Sequence, residues 1–387
     1  MNTDAMLEEL REHYVLLQNN VRQVPDRDCS RQYHPDLSPL GWHLGHCIFT
    51  EIYWVREILL NDSSRSEALK ALYVPELSPK PGRTAALPCA DTLYAWAQGV
   101  RQEHDTLLPK LLESGRDHRL LREAFLLSFL IQHYAQHYET TMYILTQRMG
   151  QAATAETLLP ALTARPLSTD AVTVTAAYYE IGASGDSQPY DNEKPCFTTR
   201  LETFDIARQP VSNGEFLSFV EDGGYERPSL WSAAGWQWRQ RYGIDLPDHW
   251  RRGGRGNLYG IDAGGSRVLA ANDPVYGVSF YEACAFACWA GARLPHEYEW
   301  EAAKKDGALQ GEGCVWEWCH NPLHPYAGFE AFPYAGYSVP YFDGRHYVLR
   351  GGSAYTRPCI RRPTFRNYYE ADKRHIHAGL RLVWPQA

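Results

Sequence analysis

The stretch HYAQHYE, residues 133–139, lies in a run, 119–149, that reads as one long helix closed by Gly150. His133 and His137 stand four positions apart, so an α-helix stacks both imidazoles on one face, the arrangement by which two histidines chelate one metal ion. Glu139 follows His137 by two positions, about 200° round the helix, and should not reach the same ion. Working outward, residues 4–21 carry Leu7, Leu10, Tyr14, Leu17 and Val21 at helical spacing. Ser38 and Pro39 open a second helix that runs to about residue 60. A third fits 91–113, ending before Ser114 and Gly115. With an extended connection over 61–88, the first 150 residues imply an antiparallel four-helix bundle.

A third ligand must come from another helix. WHLGHC, residues 42–47, supplies His43 and His46, and Gly45 allows a close helix approach there. Three neutral imidazoles would leave an iron or zinc ion its full charge and open positions for substrates. The plainer alternative makes His133 and His137 ordinary core or surface histidines; the second His-x-x-His on a facing helix favours the metal.

The 387 residues suffice for two domains. With 38 Lys and Arg against 46 Asp and Glu, the net charge is −8, which argues against a nucleic-acid binder working by phosphate neutralisation. The start, MNTDAMLEEL, lacks the basic, apolar grammar of a secretory signal, and the longest apolar run, 124–131, is too short to span a membrane. Nine scattered cysteines without a CxxC pair fit reduced thiols, hence a cytoplasmic protein. Aromatic residues reach 13%, with 12 Trp and 25 Tyr, which predicts pockets walled by rings with polar tips.

Residues 151–170, rich in Ala, Thr and Pro, read as a linker between domains spanning 1–150 and 171–387. Beyond it the grammar changes. Runs at 172–181 and 197–206 look like strands, helices fit 212–221, 279–290 and a third beginning near Pro295, and 314–340 reads as a long ordered loop system. The fold class expected is α+β.

The second half carries a family signature. DNEKPCF (191–197), QPVSNGEFLSFVEDGGYERPSLW (209–231), PVYGVSFYEACAFACWAGARLPHEYEWEAA (274–303), VWEW (315–318) and VLRGGS (348–353), then RNYY and AGLRL, together resemble the formylglycine-generating-enzyme-like, or sulfatase-modifying-factor, fold, which is related to C-type lectins. Oxidases of that family bind copper through two cysteines after the RGGS run. Here the corresponding positions are Thr356 and Arg361, with Cys359 out of register, which argues against cysteine oxidation. With the first half, whose SPLGWHLGH and HYAQHYE resemble a DinB-like bundle, the whole chain resembles the iron-dependent sulfoxide synthases of ergothioneine and ovothiol biosynthesis and their selenoneine-forming relatives.

The resemblance implies Fe(II) held by His46, His133 and His137, with His43 a neighbour and not a ligand. It implies dioxygen as co-substrate and bond formation at the imidazole carbon between the two nitrogens of hercynine, a histidine betaine. Tyr334 is expected as proton donor and Tyr337 as a substrate contact. Gln136 is expected on the substrate imidazole and Asn367 on its carboxylate. Family members that use γ-glutamylcysteine carry an acid after the asparagine and arginines in the bundle loop. Tyr369 stands at the acid's position and Arg83 is the single loop candidate, so the donor expected is free cysteine or a neutral sulfur or selenium sugar, with a selenosugar preferred. An ergothioneine-type synthase using cysteine or γ-glutamylcysteine is the alternative. From other classes come a lectin-like binding module and a zinc-dependent thiol transferase.

Overall fold

The structure, a computed structural model, describes residues 2–114, 118–152, 160–184, 188–254 and 256–385. The chain forms two compact units, Met1–Arg148 and Met149–Ala387. Residues 153–159 of the expected linker lie outside the described residues.

Four long helices build the first unit. α1 (Thr3–Arg22) buries Leu7, Leu10, Tyr14, Leu17 and Val21, the stripe its spacing predicts. α2 (Leu40–Ile52) is buried along its whole length and continues as a π-helical stretch, Tyr53–Leu59. Its first turn has no side-chain cap: Ser38, expected to cap it, turns its hydroxyl to Arg83 instead. α3 (Ala90–Ser114) runs through Pro109 without interruption. α4 (Phe125–Ala152) starts later than the sequence pattern implied, because Glu123 and Ala124 both adopt φ 54°, a left-handed conformation that breaks the winding before it. Gly150 falls inside its last turn rather than beyond its end.

A buried carboxylate ties these helices together. Glu51 on α2 is fully enclosed and accepts from Arg101 Nη1 (2.6 Å) and from His104 Nδ1 (2.9 Å) on α3, and from the Tyr134 hydroxyl (2.6 Å) on α4. Asn20 on α1 donates to Thr141 on α4 at 2.9 Å. Between α2 and α3, the short helix Lys70–Tyr73 lies so close that a Cβ on Gly45 would stand 2.4 Å from the Tyr73 ring.

The second unit is a set of small sheets. β1 (Ala171–Val174) and β12 (Val383–Pro385) flank β4 (Phe204–Ala207), and β2 (Ala177–Ile181) pairs with β3 (Phe197–Leu201), all antiparallel. Each of the two long strand-like runs is thus two strands belonging to different sheets, parted at 175–176 and 202–203. β5 (Trp250–Arg252), β6 (Leu258–Asp262) and β7 (Gly265–Arg267) form a meander. The largest sheet has the order β10 (Asn367–Glu370), β9 (His346–Arg350), β8 (Trp316–Pro322), β11 (Ala378–Gly379). β8 lies in the segment read as loop, where burial of nearly every residue on both faces erased the alternation that marks a strand.

Helices α5 (Asn213–Glu221), α7 (Phe280–Trp289) and α8 (Glu297–Lys305) each open on a reciprocal capping box, from Ser212, Ser279 and His296. α6 (Ala233–Tyr242), capped by Ser232 and ended by Gly243, gave no apolar period because Gly235 is its sole fully buried residue. Trp300 on α8 packs with Phe204, Ile206, Leu323, Val348 and Val383 into the core of this unit. Two buried carboxylates organise it further. Glu317 binds both Nε and Nη2 of Arg381 at 2.7 Å, and Glu297 holds Arg350 and Arg366.

Two outcomes follow from the bundle. Its three donors hold the Glu51 carboxyl down to about 2 against the usual 4.5, although burial alone would raise it. The stabilisation is therefore complete above pH 4.5 and is lost as pH falls toward 2. Glu51→Gln should lower stability at neutral pH by about 3 kcal/mol and flatten that acid limb, measured by urea unfolding at pH 5 and pH 3. Gly45→Ala should cost about 1–3 kcal/mol in the same assay, since the Tyr73 ring must move to admit a methyl group.

Candidate metal centre

His46, His133 and His137 each offer a ring nitrogen, and these three atoms all lie within 4.8 Å of one another. α2 contributes the first and α4 the other two, one turn apart. Glu51 sets the mutual rotation of the two helices, because it sits five residues after His46 and accepts from Tyr134, the residue beside His133.

His46 is fixed on two edges and a face. Its Nδ1 donates to the Tyr73 carbonyl at 2.7 Å; a carbonyl can only accept, so Nδ1 carries the proton and Nε2 presents a lone pair. The ring lies parallel to Trp42, with centroids 4.7 Å apart and planes at 11°. Trp42 is itself held by a 2.8 Å bond from Nε1 to the Leu72 carbonyl, so the segment ending in Tyr73 orients both rings.

Across the cluster, His46 Nε2 faces His133 Nε2 at 3.2 Å. Two ring nitrogens this close need a proton or a cation between them. Metal–nitrogen bonds of about 2.1 Å put neighbouring ligand atoms roughly 3 Å apart, which matches this separation. His137 turns its Nδ1 to His43 Nδ1 at 2.8 Å, leaving its Nε2 for a metal. His43 is thereby placed outside the ligand group, bonded to one of its members. Sequence reasoning missed this bond to His137, for which the one available signal was the His-x-x-His spacing.

The electrostatics suit ligation. Burial pushes His46 down to about 4, aided by the Arg83 charge and opposed by the Tyr73 carbonyl. Burial and repulsion among the rings hold His133, His137 and His43 well below the ordinary imidazole value. All four stay neutral at physiological pH, with lone pairs available for a cation. His133 Nδ1 is enclosed without a hydrogen-bond partner among the described residues. Glu139 is buried and accepts from the Tyr143 hydroxyl at 2.8 Å, and it is not among the clustered ligand atoms. The residues present therefore fit an ion bound by three imidazoles.

Gln136, half-buried, follows His133 by three residues and so shares that helix face. Arg83 has an environment different from the one the sequence implied. It is 4% exposed, with Nε donating to the Ser78 carbonyl at 2.8 Å and Nη1 to the Ser38 hydroxyl. Its guanidinium lies 3.7 Å over the Trp42 ring.

The remaining expected residues belong to the second unit. Tyr334 is 42% exposed, its ring folded over Gly336 so closely that a Cβ there would stand 2.9 Å away. The Tyr337 ring stacks on Tyr190 at 4.1 Å, and its carbonyl accepts from Tyr368. Asp191 pins this loop by accepting from the Ser338 hydroxyl and the Phe332 amide, a role that nothing in DNEKPCF announced. Asn367 and Tyr369 alternate with Tyr368 along β10, so they share one face of the strand while Tyr368 packs on the core. Where the oxidases carry copper-binding cysteines, Thr356 Oγ1 accepts from the Ser353 amide at 2.7 Å, and Arg361 Nη2 donates to the Ser353 and Thr356 carbonyls.

The chain matches the Sulfatase-modifying factor enzyme 1-like domain family over residues 158–312 and 305–386, and the DinB superfamily over 9–141. Among curated proteins it is 34% identical to the hercynine oxygenase of Mycobacterium tuberculosis, covering 93% of this chain and 94% of that one. It is 26% identical to ergothioneine biosynthesis protein 1 of Schizosaccharomyces pombe over 76% of this chain and 44% of that one. It is 35% identical to the formylglycine-generating enzyme of Streptomyces coelicolor over 43% of this chain and 55% of that one. With identity carried across both units, the chain belongs to the family of the hercynine oxygenases, a DinB-like bundle joined to a sulfatase-modifying-factor domain.

Proposed function

We propose that this protein is an iron(II)- and dioxygen-dependent enzyme that joins selenium, or sulfur, to the imidazole C2 of hercynine. The observation that carries this reading is the cluster of three neutral imidazoles from two helices, within a chain whose relatives are named for hercynine. Iron(II), when bound, supplies redox chemistry with dioxygen and a Lewis-acidic place for both substrates. A three-imidazole set suits this better than one containing a carboxylate, because it leaves the metal its full attraction for an anionic thiolate or selenolate. Forming the bond removes one hydrogen from hercynine C2 and one from the donor, with dioxygen taking the electrons.

The chain's own groups position the substrates. Gln136, on the ligand face of α4, holds the hercynine imidazole by a hydrogen bond. Asn367 binds the betaine carboxylate, with Tyr369 beside it on the same strand face. Tyr334, with its hydroxyl on an exposed ring, delivers the proton that the reduction of dioxygen requires, and Tyr337 contacts substrate from its stack on Tyr190. The trimethylammonium group is held by ring faces.

The donor is a neutral selenosugar. Two features support it over γ-glutamylcysteine: Tyr369 replaces an acid, and the Arg83 fork is turned onto Ser38, Ser78 and Trp42. Cysteine is the second reading, favoured by relatives named for ergothioneine biosynthesis. The absence, among the described helices, of one long and apolar enough to cross a membrane is compatible with work in the cytoplasm.

The test is oxygen uptake by anaerobically iron-loaded enzyme given hercynine plus a selenosugar, cysteine or γ-glutamylcysteine in parallel. Uptake with hercynine and the selenosugar, giving a C2–Se product, is expected. Uptake with γ-glutamylcysteine alone would overturn the donor assignment. No uptake with any donor would favour a binding module, and activity with zinc alone a thiol transferase. His46→Ala, His133→Ala and His137→Ala should each lower iron affinity at least 100-fold and abolish turnover, read by metal analysis after gel filtration; wild-type turnover in any one would remove that residue from the ligand set.

A further inference from the structure

We propose that Arg83 is a positioning residue for the metal ligand His46, acting through the ring of Trp42, and not a contact for the sulfur or selenium donor. The inference rests on the three-histidine reading of the metal centre. Three flat groups meet at the indole of Trp42. The guanidinium lies 3.7 Å over the indole, and the indole lies parallel to the imidazole at 4.7 Å with 11° between their planes. All three residues are buried, at 4%, 3% and 8% exposure.

The hydrogen bonds of Arg83 explain why the stack holds its place. Nε donates to the Ser78 carbonyl at 2.8 Å, Nη1 to the Ser38 hydroxyl and Nη2 to the Pro75 carbonyl at 3.4 Å. These acceptors lie on the segment just before α2 and on the connection that follows it. The guanidinium therefore fastens the connection to the start of the ligand helix, with its flat face on Trp42. No carboxylate makes an ion pair with it among the described residues; the indole face, these neutral oxygens and the more distant Glu76 charge offset its burial.

The arrangement constrains His46 directly. A parallel indole leaves the imidazole one plane in which to rotate, and the Tyr73 carbonyl on Nδ1 selects the orientation within that plane. Parallel stacking of two neutral rings opposes like faces of their quadrupoles; a cation over the indole draws its electron density away and relieves that opposition. Lysine would keep the charge but not the planar fork that spans Ser38 and Ser78. A donor-binding arginine would instead need its fork directed at the donor's anionic group, and the acceptors found here are the protein's own.

The experiment compares Arg83→Met, Arg83→Lys and Trp42→Phe with the wild type, using Co(II) as the probe. Affinity is measured by chelator competition, the visible d–d bands report ligand geometry, and donor KM is measured in the iron-loaded enzyme. Arg83→Met should weaken Co(II) binding about 10-fold or more and shift the bands, with donor KM unchanged. Arg83→Lys should recover part of the affinity, and Trp42→Phe, which keeps a flat ring, should fall between Arg83→Met and wild type. Wild-type Co(II) affinity and bands in Arg83→Met, with donor KM raised, would overturn the inference in favour of donor contact. Should Arg83→Met lose its helical circular dichroism, Arg83→Lys and Trp42→Phe decide the matter: wild-type bands in both overturn the proposal. A His133→Ala control separates the two levels. If it binds Co(II) as the wild type does, the metal reading fails; if it loses Co(II) while Arg83→Met retains it, this inference alone fails.

Discussion

An imidazole serves as a metal ligand when one nitrogen is proton-free and aimed and the other is occupied. Two of the three clustered histidines meet both halves of that requirement, while His133 Nδ1 is enclosed without a hydrogen-bond partner among the described residues. For His46 the second nitrogen is satisfied by the Tyr73 carbonyl, for His137 by His43. Neither partner could do this if the helices were rotated or separated. Glu51 supplies the rotational lock by gathering donors from two neighbouring helices, and Gly45 supplies the close approach that brings the Tyr73 backbone within reach. An enclosed carboxylate with three donors and a missing side chain are thus as much part of the candidate centre as its three histidines, although neither is among the clustered ligand atoms.

The second unit is held by polar contacts in its loops as well as in its core. The loop after the RGGS run is held by Thr356 Oγ1, which accepts from the Ser353 amide, and by Arg361 Nη2, which donates to the Ser353 carbonyl. The frame beneath is polar as well as apolar. Arg350, Arg366 and Arg381 are all buried: Arg366 pairs with Glu297, Arg350 with Glu297 and Glu301, and Arg381 with Glu317, which also accepts from the Trp300 indole. Rigid support of this kind is what allows long connections rich in aromatic rings to remain ordered.

Much of this was legible from the residues alone. The spacing of Leu7, Leu10, Tyr14 and Leu17, and of His133 and His137, follows helical geometry directly, and the capping boxes at Ser212 and Ser279 mark their helices in the sequence. Other features left no one-dimensional trace. β8 is buried on both faces and therefore does not alternate, and α6 is exposed and therefore has no stripe. The left-handed pair Glu123–Ala124 sits in residues with no preference for it, so the true start of α4 was hidden. For the candidate centre, residue types and spacing gave His133 and His137 and left the third place open between His43 and His46, which the family resemblance assigned to His46. The roles of His43, Tyr73 and Asp191 depend on backbone positions and ring orientations that only the folded chain defines.

The π-helical stretch Tyr53–Leu59 directly follows the ligand-bearing helix. A wider coil takes up an additional residue per turn relative to α-helical winding, so it breaks the phase relation between what precedes it and what comes after. Upstream, the turn carrying His46 keeps its angular setting. Downstream, the connection toward residue 88 returns to that same helix, where the Tyr73 carbonyl meets His46 and the Arg83 guanidinium meets Trp42. The slip in winding thus sets the direction in which the chain leaves the helix before it doubles back to seat Tyr73 against Gly45.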